Sequence, residues 1–389
     1  MLNRTRRRFG KIDHPLDRYS EIVDDLTHDI LRGHYRPADR LPRWRELTAR
    51  YDTTLATVRK ALDRLDEYGF IERGGWHGIR VAAYPPHRCH FGLVFPDYGD
   101  AAGQFSSHFL TALAQVAGQL HDTRPRWLSV YHGVRGERDE DLQPLANDLN
   151  ARRVAGLILT ERHTAENSRM AALLHAAQVP VVALLTEVQL PSVTRIVLPP
   201  TDFLERACAY LRAQGRHRVA LVSVAHLGPM MWELAQGPLA AHGLVAQPWW
   251  RAEAALQCPG ALRPAMQMLW RLPAKNRPDA LVITDDNLVT EATAGLVAAG
   301  VRVPADLLVV AHANFPLTTA SAVPAVRLGF DVRRVLTTCL DVLEQRGRGE
   351  VIPEPVIITA EFESEISNRN VGRQFLPRDK KVTQGSVVS

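Results

Sequence analysis

One pattern dominates the sequence from residue 90 onward: a short apolar run typical of a buried strand is followed by an amphipathic stretch with helical spacing. The apolar runs lie at 90–95, 127–131, 154–159, 180–185, 218–224, 279–284 and 307–311. The helical stretches lie at 105–121, 139–152, 167–178, 202–214, 230–242, 261–271, 286–299 and 331–346. Buried strands that alternate with helices predict parallel sheets covered on both faces. Because these units outnumber the strands that one sheet usually holds, we expect an α/β domain of two lobes, each a doubly wound parallel sheet, with a ligand cleft at the carboxyl ends of the strands.

The first 85 residues follow a different pattern. Helical periodicity covers 19–31, 43–50 and 53–68, and short strands at 70–73 and 79–81 enclose a glycine-rich turn, which predicts a winged helix–turn–helix. This segment carries most of the net charge of +5, because it holds 17 Lys and Arg against 13 Asp and Glu, while residues 86–389 hold 30 against 29. A basic segment on a neutral body is typical of a nucleic-acid-binding module. The alternative is a solvated basic tail formed by the arginines between positions 4 and 8.

The residues on the outer face of the third helix favour a DNA-binding module over a solvated basic tail alone. Val58 and Leu62 belong to its apolar stripe, so Thr57, Arg59 and Lys60 lie on the outer side. Short hydroxyls and long cations suit the phosphates and base edges of a major groove. Periodicity by itself leaves open an ordinary three-helix bundle with a solvated basic face.

Residues 19–81 resemble the DNA-binding domain of the GntR family of bacterial transcription regulators. The matching pieces are the first helix, Leu41-Pro42, Arg45-Glu46-Leu47, Thr57-Val58-Arg59-Lys60-Ala61-Leu62, Leu65 and Gly69-Phe70-Ile71. The resemblance implies DNA contacts by the residues at the Arg45, Thr57 and Arg59 positions and by the wing tip. The full set of candidate DNA-binding residues is Arg43, Arg45, Thr54, Thr57, Arg59, Lys60, His77 and Gly78.

Three residues depart from that family pattern. Arg43 stands where a Ser or Thr often caps the second helix, Leu55 stands where an arginine is common, and Trp76 replaces the first wing glycine. Leu55 removes one expected contact, so the preferred operator is expected to differ from the usual half-site of the family. We hypothesise that Arg43 supplies a compensating phosphate contact.

Residues 90–365 resemble the ligand-binding domain of the lactose/galactose repressor family, which shares its fold with periplasmic sugar-binding proteins. The best stretch contains Pro278-Asp279-Ala280, Asp285-Asp286, Ala299-Gly300-Val301-Arg302-Val303-Pro304-Ala305-Asp306 and Val309-Val310. The resemblance implies a two-lobed periplasmic-binding-protein-like domain in which Asp286 accepts hydrogen bonds from ligand hydroxyls. A GntR-type head on such a body is the arrangement of arabinose-responsive repressors.

The polar anchors of an ordinary sugar site are incomplete. Leu234 replaces an expected arginine, and Leu198-Pro199-Pro200 replaces Asp-Asn. The expected Gly-Phe/Tyr-Asp motif is replaced by Ala311-His312-Ala313-Asn314, so its aspartate is absent. Because a buried sugar needs most of its hydroxyls satisfied, a common monosaccharide is disfavoured. A different effector is expected to contact Asp286, Trp232, Glu233, His312, Asn314 and an aromatic side chain near Tyr98 or Phe105. Trp232 and His312 fit packing roles equally well, and Asp286 can share helix capping with Asp285.

Other protein classes find little support. The four cysteines lack metal-site spacing. A pyridoxal-phosphate body needs a lysine that forms a Schiff base, but the sole lysine between positions 61 and 379 is Lys275, which lies in a proline-rich loop. No nucleotide-binding or hydrolase motif, signal peptide or membrane-length apolar run is present. We therefore expect a cytoplasmic, homodimeric, non-enzymatic regulator, most simply a repressor, without metal, cofactor or membrane partner, that binds a double-stranded DNA operator and a small-molecule effector. The alternative is a ligand-independent DNA-binding protein whose C-terminal domain serves dimerisation alone.

The sequence divides into five segments. We expect a basic N-terminal tail over 1–14, the winged helix–turn–helix over 15–84, a linker over 85–89, the two-lobed domain over 90–367 and a disordered tail over 368–389.

Overall fold

The computed structural model describes residues 15–74, 78–98, 107–120, 125–135, 138–160, 168–184 and 193–374. These residues form a small N-terminal head and a two-lobed body. The elements of the head are α1 (Pro15–Leu31), α2 (Trp44–Tyr51), α3 (Leu55–Glu67), β1 (Ile71–Gly74) and β2 (Gly78–Val81).

The head is the predicted winged helix–turn–helix. The Thr54 hydroxyl accepts a hydrogen bond from the backbone N–H of Thr57, which caps the start of α3, and Gly69 with φ +77° follows its end. The apolar stripe of α3 packs with α1, α2 and the antiparallel hairpin β1–β2 around buried side chains such as Leu47 and Phe70. This core fixes the angle at which the start of α3 is presented to solvent.

The first lobe of the body is a six-stranded parallel sheet in the order β13-β7-β6-β5-β3-β4. Its strands are β3 (His90–Val94), β4 (Trp127–Tyr131), β5 (Gly156–Thr160), β6 (Val181–Leu184), β7 (Val193–Val197) and β13 (Val356–Ile357). Its helices are α5 (His108–Leu120), α6 (Asp139–Asn150) and α7 (Ser168–Ala177).

The second lobe is a six-stranded sheet in the order β14-β12-β11-β10-β8-β9, parallel except for β14, which pairs antiparallel with β12. Its strands are β8 (Val219–Val224), β9 (Arg251–Ala254), β10 (Ala280–Ile283), β11 (Leu308–Phe315), β12 (Val326–Asp331) and β14 (Glu361–Phe362). Its helices are α8 (Pro200–Ala213), α9 (Gly228–Ala241), α10 (Leu262–Trp270) and α11 (Val289–Ala298), while α12 (Val332–Gly347) runs back to the first lobe and α13 (Glu363–Gln374) follows β14.

The two lobes share one apolar layer. Strand residues of both sheets pack with α5, α8 and α12 in a single cluster, whereas α10 and α11 cover the other face of the second sheet and α6 and α7 the other face of the first. The chain crosses between the lobes after β7, after β12 and after β13. This arrangement confirms the predicted doubly wound, two-lobed α/β architecture and brings the carboxyl ends of the two parallel sheets to the region between the lobes.

Five short strands were not among the predicted ones: β7, β9, β12, β13 and β14. The strand β12 lacks an apolar run because it contains Arg327 and Gly329. A Cβ at Gly329 would lie 1.9 Å from the Ala313 carbonyl oxygen, so glycine is required where β12 approaches β11. The edge strand β9 is largely polar, and β13 and β14 have two residues each, too few to give a periodic signal.

Two predicted boundaries also need correction. The expected linker over 85–89 contains a one-turn helix, α4 (Pro86–Cys89), which begins at a buried proline. The expected disorder from residue 368 is wrong for 368–374, which belong to α13. Arg369 in that helix is ion-paired with Asp331 and Glu361, and Ile366 is buried against Ala313 and Phe315 of β11. Residues 375–389 of the expected tail, and 1–14 of the basic tail, lie outside the described residues.

Candidate nucleic-acid interface and interlobe site

A groove of about 840 Å³ lies between the starts of α2 and α3 and the strand β2 of the wing; we call it the basic groove. Its lining residues are Arg40, Leu41, Pro42, Arg43, Trp44, Arg45, Glu46, Leu55, Gly78 and Ile79. The Glu46 carboxylate accepts a hydrogen bond from the Arg43 backbone N–H over 2.8 Å, so the cap of α2 comes from Glu46. The Arg43 side chain therefore has no capping duty and remains exposed in the groove.

Several arginines are exposed at and beside the basic groove. Arg40, Arg43, Arg45 and Arg59 are exposed, and within the described part of the chain no acidic side chain pairs with them. Four other arginines of the head are ion-paired, in Arg18–Glu21, Arg50–Asp29, Arg64–Glu67 and Arg73–Asp63, whereas the exposed Arg32 and Arg36 also lack an acidic partner among the described residues but lie outside the basic groove. Unpaired cations around one groove create a positive potential there, which suits the phosphates of a nucleic acid.

The predicted DNA-binding residues that the structure describes lie at the start of α2, at and along α3, and in the wing strand β2. Arg43, Arg45 and Gly78 line the basic groove, and Arg59 is exposed four residues along α3 from Leu55. The hydroxyls of Thr54 and Thr57 lie 3.0 Å apart, so Thr54 is engaged in the cap. The Lys60 ammonium lies 4.7 Å from the ring centroid of Tyr19 on α1, on the flank away from the groove. His77 lies outside the described residues.

A buried polar cluster marks the interlobe site, at the carboxyl end of the second sheet. Asp286, just after β10, is 2% exposed, and its carboxylate accepts a hydrogen bond from the Asn314 side chain of β11 over 2.8 Å. Burial raises the pKa of Asp286 to about 6, although nearby His312 and the bond from Asn314 act in the opposite direction. The Nδ1 atom of His312 is buried without a hydrogen-bond partner among the described residues, and its ring packs edge-on against Phe203.

Residues not named from sequence connect the two lobes beside this cluster. The Asn287 side-chain oxygen accepts a hydrogen bond from the backbone N–H of His108, the first residue of α5, over 3.1 Å. Nδ1 of His108 is hydrogen-bonded to the Thr319 hydroxyl over 3.0 Å. Asp285 accepts from both the backbone and side-chain nitrogens of Asn287 and so orients it. The predicted capping role of Asp285 is thereby confirmed.

The remaining predicted effector residues lie apart from Asp286, His312 and Asn314. Trp232 on α9 packs beneath the Arg251 guanidinium, 5.2 Å from its ring centroid, and the adjacent Glu233 is exposed. Tyr98, in the first lobe, is 76% exposed and lies over Gly133, where a Cβ would collide with the tyrosine ring. Phe105 lies outside the described residues.

The head touches the first lobe through aromatic and cationic side chains. The Tyr68 ring lies between two guanidinium groups, Arg64 of the head at 4.3 Å and Arg153 of the body at 5.3 Å. Phe70 of the head core stacks on His87 of α4, with ring centroids 5.7 Å apart. Burial, together with the nearby positive charge of Arg88, lowers the pKa of His87 to about 4.

Across the ranges given above, no group of three or more His, Cys, Asp and Glu side chains is placed to hold a metal ion. None of the helices within those ranges is both long enough and apolar enough to span a membrane.

Two domain families match the sequence. Residues 18–81 match the gntR family of bacterial regulatory proteins, and residues 208–361 match the periplasmic binding protein-like domain. The head is 40% identical over 68 residues to the probable transcriptional regulator PhnF of Escherichia coli, which covers 18% of this chain and 28% of that protein. It is 36% identical over 58 residues to the HTH-type transcriptional regulator TreR of Bacillus subtilis, covering 15% and 24%. The chain thus spans about a quarter of the length of these relatives.

The body resembles solved structures of LacI-family regulators. A LacI-type regulator from Bacillus cereus aligns with a TM-score of 0.52 and 18% identity over 70% of this chain and 96% of its own. A LacI family regulator from Lactobacillus casei with bound glucose aligns with a TM-score of 0.50 and 20% identity over 70% and 97%. At these identities the likeness concerns the fold. The chain therefore joins a winged helix–turn–helix domain of the gntR family of bacterial regulatory proteins to a periplasmic binding protein-like domain with the two-lobed fold of LacI-family regulators.

Proposed function

We propose that this protein is a transcription regulator that binds an operator through its head and responds to a small molecule held between the lobes of its body. The observation that carries the proposal is the set of four exposed arginines without acidic partners in the described chain, at the basic groove and start of α3 of a gntR-type head. Its relatives by sequence are named as transcriptional regulators, and two structures similar to the body hold glucose or sucrose. We propose no catalytic step and no cofactor.

On the DNA side, two heads of a homodimer insert the starts of their α3 helices into successive major grooves of a roughly palindromic operator. Arg43, Arg45 and the wing contact phosphates and set the register, while Arg59 and Thr57 read bases. Lys60 reaches a phosphate only by leaving the Tyr19 ring. Repression is the mode that we propose, because an occupied operator blocks transcription without further contacts.

On the effector side, the ligand lies against the Asp286, His312 and Asn314 cluster and is enclosed by the first lobe. The contacts of Asn287 with His108 join the lobes next to this cluster, so a bound ligand changes how tightly they close. Closure alters the spacing of the two heads and thereby the affinity for DNA, provided that the ligand binds the closed form better.

The test of DNA binding begins with selection of a preferred duplex from a random pool by the full-length protein. Arg45→Ala is expected to lower affinity for the selected duplex about tenfold and to reduce the salt slope by about one ion, because one phosphate contact is lost. Arg50→Ala is the matched control, since Arg50 is paired with Asp29 and lies outside the basic groove. Failure to enrich any duplex contradicts the proposal.

One observation favours the second candidate function, ligand-independent DNA binding with a dimerising body. Asp286 is buried and already hydrogen-bonded within the protein. A thermal-shift screen against sugars, sugar acids and nucleosides separates the two functions. A stabilising ligand whose effect disappears in Asp286→Asn supports the sensor. A flat screen by a protein that still binds its selected duplex supports the second candidate.

A further inference from the structure

Two large apolar side chains face solvent inside the basic groove. Leu55, the first residue of α3, is 52% exposed, and Trp44, the first residue of α2, is 43% exposed. Both line the groove together with Arg40, Arg43 and Arg45. Isolated apolar residues on a surface need no explanation. Here, however, a leucine and a tryptophan are exposed in the same groove as arginines that have no acidic partner among the described residues, so their apolar surface remains in contact with water.

The position of Leu55 on α3 places it beside a base-reading side chain. Leu55 and Arg59 are four residues apart, so they lie on the same side of the helix, one turn apart. The core stripe of α3, which includes Val58 and Leu62, lies on the other side of Leu55 from Arg59, so Leu55 stands at the margin of the stripe and remains half exposed. The first turn of this helix is the part that enters the major groove when a winged helix–turn–helix binds DNA.

The chemistry of the major groove offers one apolar group to such a side chain. Adenine, guanine and cytosine present hydrogen-bond donors and acceptors at their edges, whereas thymine adds the C5-methyl group. Leucine has no donor or acceptor, so it can gain free energy from a base edge only by covering that methyl. Arg59 one turn further along the helix supplies two donors in a fork that fits a guanine.

We infer that Leu55 is a specificity-determining residue that reads a thymine methyl in each half-site, adjacent to the base pair contacted by Arg59. This inference rests on the proposed function, because it requires that the head binds duplex DNA. The basic groove fixes the approach through its arginines, and Trp44 closes its apolar side. The expected half-site therefore contains a thymine whose methyl group, rather than its hydrogen-bonding edge, matters.

The experiment uses the full-length protein and a duplex that it selects from a random pool. Each thymine is replaced singly by deoxyuridine, which removes the methyl group and leaves base pairing unchanged. Burial of one methyl group predicts a loss of affinity of about three- to fivefold at one position per half-site. Leu55→Ala is expected to bind the thymine and uracil duplexes equally at that position. Because Leu55 is outside the core, the variant keeps the fold, which its circular dichroism verifies.

Two control variants separate this effect from general weakening. Arg59→Ala is expected to bind more weakly but to keep the difference between thymine and uracil. Met268→Ala removes a side chain that is 68% exposed on the body and is expected to change nothing. A second pair of duplexes carries cytosine or 5-methylcytosine in place of the thymine at the sensitive position. The methyl group of 5-methylcytosine is expected to recover part of the affinity that cytosine loses in the wild type, and none in Leu55→Ala.

The outcomes distinguish this inference from the proposed function. If no duplex is enriched, DNA binding itself fails. If a duplex is enriched but every uracil substitution is neutral, or if Leu55→Ala still prefers thymine, the reading of a methyl by Leu55 is overturned. If uracil substitutions are neutral and Leu55→Ala instead disrupts self-association, the apolar pair belongs to a protein contact, which also overturns it.

Discussion

The basic groove of the head and the interlobe site of the body both concentrate polar side chains, but they stabilise them in opposite ways. The arginines of the groove are exposed, and no acidic side chain in the described chain pairs with them. Asp286 between the lobes is 2% exposed and hydrogen-bonded to Asn314. An exposed cation keeps its hydration without a partner, whereas a buried carboxyl must be hydrogen-bonded or protonated. The groove is therefore ready for an external anion, while a ligand at the interlobe site must extend or replace an internal hydrogen bond.

The strongest test of this difference is Asp286→Asn. Burial raises the pKa of Asp286 from 3.8 to about 6, so the folded protein holds a proton that the unfolded chain has released. The stability that neutral Asp286 contributes is complete below about pH 4 and is lost as pH rises through 6. Asparagine stays neutral, so the variant is expected to be more stable than the wild type by about 2–3 kcal/mol at pH 7 and nearly equal to it at pH 4. Urea unfolding at four pH values checks this, and a difference that does not vary with pH contradicts it.

The corresponding test in the head is Arg59→Ala. Because Arg59 has no acidic partner among the described residues, its removal leaves no unpaired carboxylate behind, and the loss is confined to DNA binding. We expect affinity for the selected duplex to fall by about 2 kcal/mol, which is the range of one good base contact. Arg50→Ala, which breaks the ion pair with Asp29 outside the basic groove, serves as the control. Equal losses of DNA affinity in both variants would remove the distinction between unpaired and paired arginines.

The sequence was most informative where the local pattern and the tertiary structure agree. The head was predicted in outline because its stripe, its cap at Thr54 and its Gly69 stop are all local signals. In the body, strands with apolar runs were found, but β12 was missed, because its close approach to β11 depends on a glycine rather than on hydrophobicity. The end of the chain was misjudged because α13 is held by contacts with other elements, namely the ion pairs of Arg369 and the packing of Ile366 on β11.

At the interlobe site, the sequence indicated residues that meet within one lobe but not the residues that connect the two lobes. Asp286 and Asn314 were both named from sequence, and they meet because β10 and β11 are adjacent parallel strands whose carboxyl ends coincide. Asn287, His108 and Thr319 were not named, because their contacts join two lobes and are set by how the lobes meet. A family pattern indicates which residue follows a strand, but it does not give the distance between residues of different lobes.

A smaller effect is expected where the head joins the body, at His87. Burial lowers the pKa of His87 to about 4, so the folded protein resists a proton that the unfolded chain takes up below about pH 6.5. Stability is therefore lost as pH falls from 6.5 towards 4, the opposite direction to Asp286. His87→Phe keeps a ring on Phe70 and does not titrate. We expect the variant to gain about 1 kcal/mol over the wild type on going from pH 7.5 to about pH 5.8, measured by thermal unfolding at both values. An unchanged difference between the two proteins would falsify this assignment.

The smallest effect is expected from Arg153→Ala. This variant tests whether Arg153 joins the head to the body, rather than contacting DNA as the arginines of the basic groove are proposed to do. Arg153 lies over Tyr68 of the head and pairs with Asp148, whose carboxylate also accepts a hydrogen bond from the Tyr131 hydroxyl at the end of β4. Loss of one exposed cation–π contact is expected to weaken the contact between head and body by about 0.5 kcal/mol. The measurement is the distribution of distances between spin labels on head and body, which is expected to become broader.

The control for Arg153→Ala is Arg152→Ala, because the Arg152 guanidinium donates to the Ala177 carbonyl within the body and is expected to leave that distribution unchanged. The salt slope of DNA binding is expected to stay at the wild-type value in both variants, since neither side chain lines the basic groove. If Arg153→Ala lowered the salt slope as Arg45→Ala is expected to do, then Arg153 would itself contact phosphate. The DNA-binding surface would in that case extend beyond the head onto the first lobe of the body, and the basic groove would not be the whole of the site for phosphates.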